Sequence, residues 1–78
     1  MKRIKVLGSG CKNCITTAKL IEDKAKALGV AVDIEKVTDM AAIMGYGVMS
    51  TPGVVVDGKV VHAGGIPAAA AIDQWLRS

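Results

Sequence analysis

Two cysteines three positions apart, Cys11 and Cys14, are the residues of this sequence best suited to chemistry. They are the only cysteines of the chain, and they lie too close together to join distant segments through a structural disulfide. Paired thiolates of this kind either exchange electrons with disulfides or bind soft metal ions. The elements that position the two sulfur atoms help to decide between these chemistries.

The residues before the cysteines predict a strand that enters a glycine loop. Ile4, Val6 and Leu7 form a short apolar run that ends at Gly8-Ser9-Gly10. An amphipathic helix follows, which Gly29 ends. Its apolar residues recur at three- and four-residue spacing: Cys14, Ala18, Ile21, Ala25 and Leu28. Cys11 therefore precedes the first helical turn, whereas Cys14 lies on the apolar stripe.

These positions predict unequal thiols. The free amides and positive end of the dipole at a helix N-terminus stabilise a thiolate, which lowers the pKa of Cys11, and the positive charge of Lys12 acts in the same direction. Cys11 is the predicted nucleophile that attacks a substrate disulfide. Cys14, one turn further on and shielded, is predicted to resolve the resulting mixed disulfide.

Two patterns predict the remaining strands. Apolar and polar residues alternate over residues 30–35, which indicates a half-buried strand, parallel to the first because a helix connects them. Apolar residues on both sides of Asp57-Gly58 predict a β-hairpin with a type I′ turn. The two strands of the hairpin are expected over residues 54–56 and 59–62.

Two shorter helices complete the prediction. Thr38 or Asp39 is expected to cap a brief second helix. Pro67 is expected at the first position of the last helix. The buried face of that helix is predicted to comprise Ala69, Ile72, Trp75 and Leu76. The predicted order is β-α-β-α-β-β-α, in a single domain over residues 1–78.

Several other residues that can carry chemistry have simpler interpretations. His62, the only histidine, is interpreted as a solvated residue at the end of a strand. Three methionines around the second helix are interpreted as core residues rather than a soft-metal site: Met40, Met44 and Met49. Tyr46 either borders the cysteines or packs beneath them.

Composition excludes several classes of protein. Hydrophobic residues make up 51% of the chain, but every apolar run is too short to span a membrane. The net charge of +3 is mild, and only 3% of the residues are aromatic and able to stack on nucleic-acid bases. No nucleic-acid partner is therefore expected. Since the apolar run after the basic start is too short for a signal peptide, a cytoplasmic protein is expected.

The chain resembles the small thioredoxin-like redox-active disulfide proteins of archaea and bacteria. The resemblance covers nearly the whole length. It rests on the opening strand, residues 8–14, Thr51-Pro52-Gly53, the Asp57-Gly58 hairpin and the closing helix. It implies a thioredoxin-like α/β fold, with a four-stranded mixed sheet and helices on both faces.

The resemblance also implies an activity and a substrate site. In thioredoxin and glutaredoxin relatives, a cis-proline lies against the disulfide, and the backbone of the preceding residue pairs with substrate. The matching residues here are Pro52 and Thr51. The implied activity is thiol-disulfide exchange, in electron transport and cell redox homeostasis. It needs no cofactor; its partners are a disulfide-containing protein or small molecule and a reductase as electron donor.

The chain departs from the better-known relatives at several positions. Gly10 stands where thioredoxins carry Trp, and Lys12-Asn13 replaces their Gly-Pro. Lys5 occupies the position of their buried acid, so no carboxylate is available there to transfer protons. Gly64-Gly65 matches the glycine pair of glutaredoxins, but no acidic residue follows it to hold glutathione.

Metal binding, by copper or zinc, and a non-catalytic adaptor role remain open alternatives. Small copper chaperones also place Cys-x-x-Cys at a first helix, but they follow the order β-α-β-β-α-β and usually carry Met at the position of Ser9. A structural zinc site requires four ligands, and this chain supplies at most three: Cys11, Cys14 and His62. A thioredoxin-like adaptor without activity would not need to keep both cysteines.

Overall fold

The computed structural model describes residues 2–8, 10 and 12–77. Seven elements follow one another along the chain. They are β1 (Lys2–Leu7), α1 (Lys12–Leu28), β2 (Val32–Val37), α2 (Met40–Gly45), β3 (Gly53–Val56), β4 (Lys59–Ala63) and α3 (Ala69–Arg77). The predicted order of strands and helices is confirmed.

The four strands form one mixed sheet in the order β2-β1-β3-β4. β1 and β2 are parallel, because α1 returns the chain to the same end of the sheet. β3 is antiparallel to both β1 and β4. The structure therefore has the predicted thioredoxin-like α/β architecture.

Each face of the sheet carries a hydrophobic cluster, because side chains alternate along β1. Ile4 and Val6 point to the larger cluster, beneath α1 and α3, whereas Leu7 points to the smaller one, beneath α2. The larger cluster consists of Ile4, Val6, Ala18, Ile21, Ala25, Val54, Ile72 and Leu76. The smaller cluster consists of Leu7, Ile43, Val48 and Val55. The helices thus cover both faces.

Gly29 ends α1 as predicted and also delays the next strand. The φ of Gly29 is +68°. In this conformation the Gly29 amide donates to the Lys26 carbonyl at 3.2 Å, and the Val30 amide donates to the Ala25 carbonyl at 2.9 Å. Val30 is therefore part of the helix stop. The predicted start of β2 at this residue is wrong by two positions, since the strand begins at Val32.

The last helix also begins later than predicted. Pro67 is buried ahead of the helix, and the amides of Ala71 and Ile72 both donate to the Ala68 carbonyl, so α3 starts at Ala69. Ala69 itself is exposed, contrary to the prediction. The buried stripe of α3 begins one turn later, at Ile72.

The interpretation of three methionines as core residues is wrong. Met40, Met44 and Met49 are 60%, 70% and 98% exposed. The helix that carries the first two has only six residues and buries only Ile43. Val48 completes the small cluster from the following loop, so these longer side chains extend outward.

Candidate functional site

Cys14 lies in the first turn of α1, with 5% of its surface exposed. It is disulfide-bonded in this structure. Its burial on the apolar stripe agrees with the shielded position predicted for the resolving cysteine. Cys11, the predicted nucleophile, lies outside the described residues, as does Ser9.

Gly8 brings the end of β1 against the Cys14 sulfur. A Cβ atom added to Gly8 would overlap Cys14 Sγ, and it would lie 3.7 Å from Thr51 Cβ. The Gly8 amide donates to the Val37 carbonyl at 2.9 Å, which holds this backbone beside the end of β2. Cys14 Sγ and Thr51 Cβ therefore both approach the space that a side chain on Gly8 would occupy.

The loop that carries Thr51 and Pro52 is anchored from its far side. The Thr51–Pro52 peptide bond is cis, with Pro52 buried and Thr51 exposed. The Gly64 amide donates to the Pro52 carbonyl at 3.0 Å. A Cβ on Gly64 would come within 3.1 Å of Ser50 Cβ, so the loops at residues 50–52 and 64–65 pack closely.

Thr17 stabilises the first turn of α1 from inside the protein. Its side chain is fully buried, and its hydroxyl donates to the Asn13 carbonyl at 2.7 Å. This bond satisfies a polar group that would otherwise be unpaired in the core. Lys12, the first residue of α1, is exposed.

Lys5 and Tyr46 form a polar pair at the face of the sheet that α2 covers. Lys5 Nζ donates to the Tyr46 hydroxyl at 3.1 Å, and Glu35 lies 3.9 Å from the same ammonium. The hydrogen bond that Lys5 donates to Tyr46 is the main cause that raises the pKa of Lys5. Tyr46 packs against the smaller hydrophobic cluster. Of the two positions expected for Tyr46, bordering the cysteines or packed within the fold, the structure therefore shows a packed one.

His62 is more than a solvated residue at a strand end, so that interpretation needs correction. It is half-buried on β4, and its Nε2 lies 3.0 Å from the Gly65 carbonyl oxygen. Its ring centroid lies 5.9 Å from that of Trp75 on α3. Because the turn at Gly64 folds back toward β4, the imidazole reaches the backbone that follows its own strand.

Gly8 and Thr17 are the site residues that sequence reasoning missed. The glycine run at residues 8–10 marked a loop, but it did not indicate that Gly8 would contact the Cys14 sulfur. Thr17 falls between two residues of the apolar stripe, Cys14 and Ala18, and this placement is the only signal of its burial.

Over residues 2–8, 10 and 12–77, no group of three or more His, Cys, Asp or Glu side chains is placed to hold a metal ion. Among the same residues, no helix is both long and apolar enough to cross a membrane.

The strand order, the helices on both faces and the proline loop beside the first helix together define a thioredoxin-like domain. Comparison with known proteins agrees. A family model described as "Thioredoxin domain" matches residues 2–77. The chain is 32% identical over 76 residues to a thioredoxin of Methanothermobacter thermautotrophicus, covering 97% of this chain and 99% of the relative.

A second relative is a thioredoxin of Methanocaldococcus jannaschii. It is 36% identical over 75 residues, which cover 96% of this chain and 86% of the relative. The chain belongs to the thioredoxin family.

Proposed function

We propose that this protein is a thiol-disulfide oxidoreductase in which Cys11 attacks the substrate and Cys14 resolves the mixed disulfide. Membership of the thioredoxin family supports such an activity in general. The observation that carries the assignment of Cys14 is its burial in the first turn of α1, against Gly8. A shielded sulfur does not meet a large substrate, but it can attack a neighbouring cysteine.

The proposed reaction begins with the dithiol form. The Cys11 thiolate attacks one sulfur of the substrate disulfide, the substrate S–S bond breaks, and a Cys11–substrate disulfide forms. The released substrate thiolate takes up a proton. Cys14 then loses its proton and attacks Cys11, which releases the second substrate thiolate. Two electrons pass to the substrate, and a Cys11–Cys14 disulfide remains.

Three further residues are proposed to shape the substrate site: Thr51, Pro52 and Lys12. Thr51 is exposed beside buried Pro52, where its backbone is suited to pair with an extended segment that carries the target disulfide. Thr51 and Cys14 both border the space beside Gly8 that a Cβ would occupy, which supports this role. Lys12 adds an exposed positive charge at the start of α1, where it favours a thiolate.

The electrons reside in the dithiol, so the proposal needs no cofactor. Turnover requires a reductase that returns the protein disulfide to the dithiol, and the substrate is a disulfide in a protein or small molecule. We place this cycle in the cytoplasm, where structural disulfides are rare and a Cys-x-x-Cys pair beside a βαβ unit is typical of thiol-disulfide exchange.

Copper delivery is the competing function for the same cysteines. The observed order β-α-β-α-β-β-α differs from the β-α-β-β-α-β order of small copper chaperones, which favours the oxidoreductase. If reduced protein held Cu(I) one-to-one against a strong chelator and left disulfides intact, the competing function would be correct.

The test of the proposed roles compares two single-cysteine variants. Wild type, Cys11→Ser and Cys14→Ser are reduced and incubated with a disulfide-bonded protein such as insulin, then quenched with acid and examined by mass spectrometry. Cys14→Ser is expected to accumulate a mixed disulfide, because attack proceeds without resolution. Cys11→Ser is expected to accumulate almost none. The Cys11→Ser/Cys14→Ser double variant is the control for non-specific adducts.

Mild alkylation of the reduced wild-type protein provides an independent measurement. Near neutral pH, Cys11 is expected to react first, because burial of Cys14 opposes formation of its thiolate. Faster labelling of Cys14, or trapping by Cys11→Ser rather than Cys14→Ser, would show that the two roles are reversed.

A further inference from the structure

A continuous groove runs beside β2 and ends at Cys14. It consists of three adjoining depressions between α1 and β2, of about 450, 330 and 20 Å³. The first two share Glu22 and Ile34, and the last two share Ile15 and Lys36. We call this surface the edge groove; it is lined by Ile15, Glu22, Lys26, Val32, Ile34 and Lys36.

The two ends of the edge groove differ in size. Near Val32 it is wide enough to hold side chains. The smallest depression, which Cys14 and Gly10 line, has room for about one water molecule. An occupant of the groove would therefore lie along its wide part and only approach the cysteine end.

The backbone of β2 offers hydrogen bonds to that occupant. At the two ends of β2, the carbonyls of Ala31 and Val37 accept from the amides of Lys2 and Gly8, at 3.2 and 2.9 Å. Since backbone groups alternate direction along a strand, the amides and carbonyls of Val32, Ile34 and Lys36 point away from β1. Within the described residues, β2 pairs with β1 alone, so these groups face the open edge.

The two edges of the sheet are not equivalent. β4, at the opposite edge, has a register shift between Val54 and Val55 in its pairing with β3. Such a bulge bends an edge and discourages the addition of another strand. β2 pairs in regular register over all six of its residues, so it is the better template.

Charge indicates the chemistry of the occupant. Lys26 is paired with Glu22 at 3.3 Å, and Lys19, beside the same groove, with Asp23 at 3.8 Å. Lys36 belongs to none of the ion pairs found among the described residues, and it lines the depression that contains Cys14. An acidic side chain near the reactive end, with apolar ones beside Val32 and Ile34, would complement this surface.

We propose that the edge groove binds an extended segment of a disulfide-bearing protein substrate, which adds to β2 as a fifth strand with an acidic residue opposite Lys36. The proposal rests on the proposed function for the identity of this occupant. Addition of a strand uses backbone hydrogen bonds for affinity and alternate side chains for specificity. Six residues in this conformation span about 20 Å, enough to follow β2 from Val32 to Val37.

The test uses peptides of defined sequence. The probe is acetyl-Val-Lys-Val-Thr-Glu-Thr-Cys-amide, with its cysteine joined by a disulfide to thionitrobenzoate, whose release is measured by absorbance. A second probe has the reversed sequence and tests antiparallel addition. The thionitrobenzoate disulfide of cysteine amide has no strand-forming residues and is the reference compound. The reduced protein is expected to release thionitrobenzoate at least about threefold faster from one of the peptides than from cysteine amide.

Matched variants locate the effect. Lys36→Glu is expected to abolish the preference for the peptide, whereas Lys59→Glu, an exposed lysine on β4, is expected to retain it. An S-methylated probe cannot exchange, so its binding to the oxidised protein reports docking alone. It should shift the amide resonances of Val32, Ile34 and Lys36 and slow their hydrogen exchange.

The outcomes separate the two proposals. If no probe releases thionitrobenzoate, the proposed function is wrong, and the S-methylated probe still tests docking. Equal rates for peptide and cysteine amide, or resonance shifts confined to β4 or residues 50–65, would overturn the edge-groove proposal. It would also be overturned if the same amides shifted with protein concentration alone, because a second copy of the chain would then occupy the edge.

Discussion

At the scale of single residues, the site depends on a glycine that leaves space for a sulfur. A methyl group on Gly8 would overlap Cys14 Sγ and approach Cys14 Cβ to 3.1 Å. Cys14 is buried, so the overlap with its side chain can be relieved only by moving α1 or the end of β1. We expect Gly8→Ala to lower the free energy of unfolding by about 1–3 kcal/mol, as overpacked cores do.

Gly45→Ala provides the matched control for this substitution. A Cβ at Gly45 meets no atom within 4 Å, and the residue ends α2. Urea denaturation should therefore place Gly45→Ala within about 1 kcal/mol of wild type. Equal effects of the two alanines would show that the space beside Cys14 is not limiting.

The Lys5–Tyr46 hydrogen bond predicts a pH-dependent contribution to stability. Because this bond raises the pKa of Lys5 above 10.5, its stabilising effect is fully present below pH 10.5 and is lost as pH rises through the pKa in the folded protein. Tyr46→Phe should bring the pKa of Lys5 back toward its ordinary value. An NMR titration of the Lys5 side chain measures this change, and an unchanged midpoint would contradict the assignment.

At the scale of elements, Asp73 links the two helices that share a face of the sheet. Its carboxylate accepts from Arg77 Nε at 2.8 Å within α3 and lies 3.6 Å from Lys24 Nζ on α1. The hydrogen bond from Arg77 is the main cause that lowers the pKa of Asp73. The contribution of Asp73 to stability is therefore present above pH 3.8 and is lost as pH falls through the lowered pKa.

Asp73→Asn should consequently lower the midpoint of thermal unfolding near neutral pH, and the difference from wild type should shrink below pH 3.8. Asp23→Asn is the control, because its ion pair with Lys19 lies within α1 and links no elements. A difference from wild type that persisted unchanged into acid would show that Asp73 does not act through its charge.

The elements themselves were predictable where local chemistry decides the conformation. Asp57 and Gly58 have φ values of +50° and +84°, as the predicted type I′ turn requires. The register shift between Val54 and Val55 could not be predicted from the neighbouring residues, because it depends on how β4 pairs with β3. The exposure of Ala69 was missed for a similar reason, because it depends on where α3 first meets the sheet.

At the scale of the whole molecule, the candidate site joins segments that are distant in sequence. Cys14 and the Thr51–Pro52 loop could each be predicted from motif and resemblance. Their shared approach to Gly8 could not, because it depends on the pairing of β1 with β3. The open edge of β2 likewise becomes visible only when the order of all strands is known.

A buried isoleucine in each hydrophobic cluster allows the contributions of the two faces of the sheet to stability to be compared. Ile21 is fully buried in the larger cluster, and Ile43 is buried in the smaller one, beside the exposed methionines of α2. Truncation of a buried isoleucine to alanine costs about 2–5 kcal/mol, and more where the surroundings cannot collapse into the cavity. We therefore expect Ile21→Ala to destabilise the protein more than Ile43→Ala.

The measurement is urea denaturation, with Ile15→Ala as control for a 53% exposed isoleucine of the same helix. A chain of 78 residues has about 4–12 kcal/mol of stability to lose, at roughly 0.05–0.15 kcal/mol per residue, so Ile21→Ala removes a large part of it. A larger loss for Ile43→Ala would mean that the α2 face holds the sheet together. The exposed methionines would then contribute to stability through contacts with that face.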